Sequence, residues 1–420
     1  MTALLPGSKG WINKYMELIR KGQINLEVDR SDHYTLEAFV HVALGRTGIF
    51  FGYPSRLQFA KELDDSKWTT EEKLKLLLFE SHLFVYQAYH NDAPFDSNQF
   101  LEELHHFYGQ HSLSSIKKLM KFFVKESREE QLESILAKRA DMEVNYLENQ
   151  LWVNYLNNFF IYLDVILFFE YLHSKEKDTF YQYDELAMNA LTAITLAAHS
   201  DGTVDKSERD LFEVFLASAN LSDTQRELAI SRYEQGAGFE DFTQKVTSNW
   251  MLKRFLVDLS TFVIFSNHEA ALEEKAFLKD LCRNLSLTDD DLNESLALTE
   301  QFVINNFDKL PFLSQSSSIE KMYGNLSKRW IKILGRNKDK LATELKQSKE
   351  LVALIRKSTS SELTKEEKEL VKSQFKDIVK SMPSLAIFML PGGAVLLPLV
   401  LKIIPDLVPS AFRDNAIEKE

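Results

Sequence analysis

Residues 151–172 read LWVNYLNNFFIYLDVILFFEYL, and the reading of this stretch decides the fold. At about 1.5 Å per helical residue it is long enough for the roughly 30 Å of a bilayer's hydrocarbon core. Asn154, Asn157, Asn158 and Asp164 argue against that location. A carboxylate near the middle of a lipid-embedded helix costs about 3 kcal/mol. The other positions are mostly apolar around the whole circumference, the pattern of a helix buried inside a protein. The stretch therefore predicts the central helix of an N-terminal domain, running from about residue 143 to 172 and burying Trp152, Leu156, Phe159, Phe160 and Leu163.

Outward from this helix the period stays helical. Thr69-x-x-Glu72 is a capping box ahead of LKLLLFESHLFVYQAYH, Asp96 and Ser97 open FLEELHHFYG, and Ser114 is placed to cap IKKLMKFFVKES. Glycine and proline are scarce, 14 and 9 in 420 residues, so turn signals are few and the class is all-α. The chain is long enough for two or three domains, and 45% hydrophobic residues suit folded ones. A single cysteine, Cys282, rules out an intramolecular disulfide and suits a reducing compartment. The N-terminus lacks the apolar core of a signal peptide, which places the body in the cytosol. The N-terminal helical domain is expected over residues 1–180.

An internal repeat follows over residues 184–308. Setting Asp201 on Asn267 aligns Leu196 with Phe262, Glu208 with Glu274, Phe212 with Leu278, Phe215 with Leu281, Leu221 with Leu287 and Asp223 with Asp289. Apolar positions pair with apolar ones and helix starts with helix starts. Cys282 falls on Leu216, a packing position and not that of a nucleophile. In the first copy Asp201, Asp205 and Glu208 could hold a hard divalent cation through oxygen. The favoured alternative is structural: Asp205 caps a helix, Glu208 closes its capping box and Gly202 ends the helix before. No other cofactor is implied. The run AAHSDGTVDKSER, residues 197–209, resembles the tellurite-resistance protein B (TerB) family, whose alanine-rich helix ends in DGxVxxxE. The resemblance implies an all-helical domain linked to stress responses at the membrane and to metal ions.

Residues 310–318, LPFLSQSSS, form the expected linker, and a basic helical stalk follows over 319–380. The formal charge of −12 is unevenly spread: residues 319–380 carry +7 and 381–420 carry −1, which leaves −18 on residues 1–318. Thr364-x-x-Glu367 caps the last stalk helix, and Lys365, Lys368, Lys372, Lys376 and Lys380 form a basic flank. Beyond them residues 381–401, SMPSLAIFMLPGGAVLLPLVL, hold 21 positions without a charge, long enough to span a bilayer. Pro383, Pro391 and Pro398 with Gly392 and Gly393 would kink such a segment, which favours a hairpin or an oligomer over a straight span.

The spacing of LTKEE at 363–367, the prolines above and LVPSAF at 407–412 resembles the leucine-zipper/EF-hand-containing transmembrane (LETM) family over about residues 362–413. The resemblance implies a membrane segment over 381–413, and with it cation/proton exchange or ribosome binding. Ala394 stands where the family usually carries an intramembrane glutamate, the group proton-coupled exchange would use. The family's ribosome-binding domain is expected after the membrane segment, so the anchor alone is implied here.

His82, His90, His105, His106 and His111 match no zinc spacing, and Gly45, Gly48 and Gly52 match no phosphate loop. No nucleophile has a base beside it, so the reading is non-enzymatic. The leading expectation is a bacterial adaptor attached to the cytoplasmic side of the inner membrane by its C-terminal anchor, in envelope stress or biofilm-related behaviour. Its partners would be membrane lipids and further copies of the chain, with no sequence-specific DNA binding. The alternatives are membrane cation transport, ribosome binding through the stalk, and a soluble cytoplasmic protein.

Overall fold

The computed structural model describes residues 4–28, 35–90, 93–109, 126–141, 158–174, 179–202, 204, 206–267 and 272–306. Of the remainder it describes 343, 345, 347–357, 363–367, 370–371 and 373–374. The chain divides into two compact units, Met1–Asp29 with Leu36–Ser317, and Arg30–Thr35 with Ser318–Glu420.

Among the described residues every regular element is helical, as the class requires. The first unit opens with α1 (Trp11–Arg20), α2 (Leu36–Gly45), α3 (Thr70–Tyr89), α4 (Ser97–Gly109), α5 (Arg128–Ala140) and α6 (Ile161–Ser174). It continues through α7 (Tyr183–Ala198), α8 (Lys206–Ser218), α9 (Asp223–Gln235), the short α10 (Gln244–Ser248), α11 (Trp250–Asn267), α12 (Leu272–Asn284) and α13 (Asp289–Asn306). In the second unit α14 spans Lys349–Lys357.

Local chemistry sets the helix starts. Thr69 Oγ1 accepts from Glu72 N at 3.1 Å while Glu72 returns the bond to Thr69 N at 2.8 Å. Asp96 takes the amides of Asn98 and Gln99 ahead of α4. Ser127 and Ser222 build capping boxes for α5 and α9. Helix α1 has no such residue: its N-cap is Gly10 at φ 88°, which offers no side chain. Glu133 of α5 supplies the cap instead, accepting from Gly10 N at 2.8 Å and Ile12 N at 2.9 Å.

Helix α3 packs on α5 and α6, and its Leu74, Leu77, Leu78 and Phe79 are fully buried, Phe79 against Trp11 and Tyr15 of α1 and Phe100 of α4. Glu80 is buried with them. Its carboxylate takes the amides of Gln58, Phe59 and Ala60 at 2.6–3.0 Å and the Tyr15 hydroxyl at 2.7 Å. Burial pushes the Glu80 carboxyl up from its ordinary value while these donors pull it down. One side chain thus ties α1 and the 58–60 loop to the core.

The central apolar stretch is inside the protein from Asn158 on, with Phe159, Phe160 and Leu163 at 0% exposure. Trp152 and Leu156 lie outside the described residues. The expected uninterrupted helix from 143 to 172 is corrected at Asn158, which is not helical; α6 starts at Ile161. Asn158 Oδ1 captures the Phe160 amide at 2.7 Å, its Nδ2 donates to Arg139 O at 2.9 Å, and Ser218 Oγ accepts from Phe159 N. These local bonds compete with the helical ladder and win.

Asp164 does not face lipid: Arg139 of α5 clamps it, Nε to Oδ2 at 2.8 Å and Nη2 to Oδ1 at 2.6 Å. Tyr108 donates to Oδ2 at 2.9 Å, and the Arg139 guanidinium sits 4.4 Å from the Tyr183 ring centre. Burial works against the Arg139 charge, and Asp164 outweighs it, raising its pKa.

The repeat is visible in the backbone. Lys206–Ser218 and Leu272–Asn284 are both 13-residue helices at the expected offset, and α9 and α13 start at Asp223 and Asp289. Asn220 and Ser286, at φ 51° and 56°, are the two non-glycine positive-φ residues among those described, and they occupy the same place in each copy. Glu208 and Glu274 are likewise both buried, at 7% and 8% exposure. The repeat is not separate from the N-terminal part: α7 packs on α6, Phe159 on Phe215, and Phe51 on Phe302.

Candidate functional site

The acidic triplet of the first copy is split by its setting. Asp201 is exposed in the turn after α7, just before Gly202 at φ 86°, whereas Glu208 is buried in the first turn of α8. Asp205 lies outside the described residues. Among the described residues no group of three or more His, Cys, Asp or Glu side chains has the geometry to hold a metal ion.

The histidines pack. His82 is buried, with Nδ1 on Leu78 O at 2.8 Å, and burial lowers its pKa to about 4. His105 meets Gln131 and His106 meets the Tyr171 hydroxyl. His111 lies outside the described residues. Cys282 is buried, and burial pushes its thiol up to about 12, so it is not a thiolate near neutral pH. Gly48 and Gly52 bracket a 3-10 turn, Ile49–Phe51, that drives Phe50 and Phe51 into the core. Gly48 runs at φ 86°, and a Cβ there would meet Tyr53 O at 2.1 Å.

Sequence reasoning missed a second buried charge centre, inside the repeat. Arg254 of α11, at 0% exposure, reaches Asp291 at 2.7 Å and Glu294 at 3.1 Å on α13. Asp258, one turn along α11, pairs with His41 Nε2 at 2.8 Å, and the Tyr162 hydroxyl lies 3.3 Å from His41 Nδ1. Burial lowers the His41 pKa despite Asp258, which suits a neutral imidazole donating to that carboxylate. A base, a carboxylate and a hydroxyl in series invite a catalytic reading. The set is closed to solvent, with His41, Asp258 and Tyr162 all at 0% exposure, and a substrate cannot reach it. Its role is to lock α2 and α6 to the repeat. The one sequence signal was an arginine and an aspartate within the apolar helix WMLKRFLVDLSTFVIF.

The second unit presents a different surface. Ser348 Oγ accepts from Leu351 N at the start of α14, whose Leu351, Leu354 and Ile355 are buried at helical spacing. Leu363 is buried, and Thr364 and Glu367 form the expected capping box, with bonds of 2.9 and 3.2 Å. Gln374 bonds Ser348 and Glu350 at one end, while Glu367 meets Lys357 at the other. With these ties the described residues of 363–374 run antiparallel to α14. Lys349, Lys357 and Lys365 are exposed there.

Lys368, Lys372, Lys376 and Lys380, and the whole apolar run with Pro383, Pro391, Gly392, Gly393 and Pro398, lie outside the described residues. Among the described residues no helix is long and apolar enough to cross a membrane.

No curated protein and no solved structure matches this chain. Residues 363–420 do match a family model, described as LETM1-like, RBD, the ribosome-binding domain of that family. The match starts ahead of the apolar run, at the Thr364 capping box. The match bears out the resemblance of the C-terminal segment to the LETM family, and the part of that family it names is the ribosome-binding domain.

Proposed function

We propose that the C-terminal unit is a ribosome-docking element and that the acidic helical body is the cargo or adaptor it brings there. The observation that carries this reading is the match of residues 363–420 to the LETM1-like ribosome-binding domain. Charge supports it: residues 319–380 carry +7, and Lys365, Lys368, Lys372, Lys376 and Lys380 recur at steps of three or four residues, one face of a helix. Such a face suits the phosphates of ribosomal RNA, whereas a body at −18 is repelled by them and stays clear. Contact by about five lysines predicts an affinity that falls with salt at a log–log slope of roughly −3.5 to −4.5.

The test is co-sedimentation of the full chain with ribosomes across a salt series, beside a chain ending at residue 362. Salt-dependent pelleting of the full chain alone supports the reading. Equal pelleting of both removes it.

A second reading adds attachment to a membrane through residues 381–401, on the strength of their 21 uncharged positions behind a lysine flank. The protein would then hold ribosomes beside the cytoplasmic face of the membrane. Extraction of cell membranes with alkaline carbonate tests this. Retention of the full chain with release of a chain ending at residue 380 supports insertion, and release of both defeats it.

A further inference from the structure

Five buried polar atoms on two packed helices have no hydrogen-bond partner: Arg254 Nε and Nη2, Asp258 Oδ1, Ser295 Oγ and Thr299 Oγ1. All four residues are at 0% exposure. Arg254 and Asp258 are a turn apart on α11, and Ser295 and Thr299 a turn apart on α13. The two helices run parallel. Arg254 meets Asp291 and Glu294, and further along both helices Phe262 meets Phe302. That register sets Asp258 between the levels of Ser295 and Thr299.

The two hydroxyls differ from others in the same setting. Ser81, Thr192, Thr195, Ser218 and Thr261 each donate to the carbonyl four residues back on their own helix. Ser260 donates across to Ala193 O. Ser295 and Thr299 do neither, although their helix offers the same carbonyls. A buried polar atom left unpaired is costly, and native proteins rarely keep one, let alone five on facing helices.

The charges select what can complete them. An anion would meet the two arginine donors but also Asp258, Asp291 and Glu294. A cation would meet Asp258 and be repelled by Arg254. A small neutral molecule that both donates and accepts satisfies the guanidinium, the carboxylate oxygen and the hydroxyls together. We propose that the α11–α13 seam is a binding site for ordered water, which bridges Arg254 and Asp258 to Ser295 and Thr299. Internal waters usually make two to four such bonds, so five free atoms suit about two molecules.

The experiment exploits a change of sign. Thr299→Val keeps shape and branching and removes only the hydroxyl. Where the hydroxyl holds a bridging water, the full-length variant loses a few degrees of Tm. Where the seam is dry, removing an unpaired polar atom raises Tm, and that rise would overturn the proposal. Thr261→Val, whose hydroxyl is satisfied by Val257 O, gives the reference loss for a paired hydroxyl. Water-oxygen relaxation dispersion on the same proteins counts long-lived internal waters. The wild type should exceed Thr299→Val, and equal amplitudes would overturn the site. Thermal scans in sodium, potassium, chloride and acetate salts at one ionic strength should coincide. A rise specific to one ion would assign the seam to that ion in place of water.

Discussion

Arg139 and Arg254 are both fully buried arginines, yet one centre is closed and the other open. Arg139 meets a single carboxylate edge-on through two bonds, with Tyr108 completing Asp164. Arg254 shares one nitrogen between two carboxylates of α13 and leaves two nitrogens over. The planar fork of a guanidinium matches one carboxylate better than two. Redundancy and completeness are therefore opposed here: Arg139 depends wholly on Asp164, whereas Arg254 retains partners if any one is lost.

The contrast can be broken most directly at its strongest point. Asp164→Asn leaves the Arg139 charge uncompensated and should cost about 3–5 kcal/mol in denaturant unfolding. Asp258→Asn leaves Arg254 paired with Asp291 and Glu294 and keeps an acceptor for His41, so about 1–3 kcal/mol is expected. Equal losses at the two sites would erase the distinction.

Acid sharpens it further. His82 beside the closed centre and His41 beside the open one both have lowered pKa values, chiefly from burial, with His82 at about 4. The folded state then binds fewer protons than the unfolded one below the unfolded value near 6.5. Stability should be full above that pH and fall as pH drops through it, by about 1.4 kcal/mol per unit for each histidine. For His82 the window runs down to about pH 4. Unfolding measured from pH 7 to 4 should show a shallower fall in His82→Asn than in the wild type, and an unchanged slope would contradict a neutral buried imidazole.

The smallest effect is expected from Tyr162→Phe. Its hydroxyl is 3.3 Å from a neutral nitrogen, worth about 0.5–1 kcal/mol, whereas Tyr108→Phe removes a 2.9 Å bond to a carboxylate worth about 1.5–3 kcal/mol. A reversed order would show that the open centre is the tighter of the two.

Much of this architecture is legible in the sequence because its signals are local. Capping boxes at Thr69 and Thr364, the cap at Asp96 and the apolar faces need only a few residues to read. The repeat is legible too, since one offset aligns its helix starts down to the left-handed positions Asn220 and Ser286. Asp164 announced that its helix was not in lipid, but not that Arg139, 25 residues earlier, was the reason. The break at Asn158 stayed hidden because its neighbours keep a helical period, and only the fold shows its amide spanning Phe160 and Arg139. The His41–Asp258 pair joins residues 217 apart and leaves no trace in spacing. In the C-terminal unit the LTKEE and LVPSAF spacing carried the resemblance, and the family match spans both, over residues 363–420.

The cap that Glu133 lends to α1 also bears on the order of synthesis. The amides it accepts belong to Gly10 and Ile12, 123 and 121 residues earlier in the chain. At translation rates of roughly 5–20 residues per second, the first helix emerges on the order of ten seconds before its cap exists. A helix of 10 residues is too short to persist alone in water for that time. This segment must therefore wait, exposed, for residues more than a hundred positions later, and so must Trp11, Ile12, Tyr15 and Met16, the apolar face that α1 finally buries.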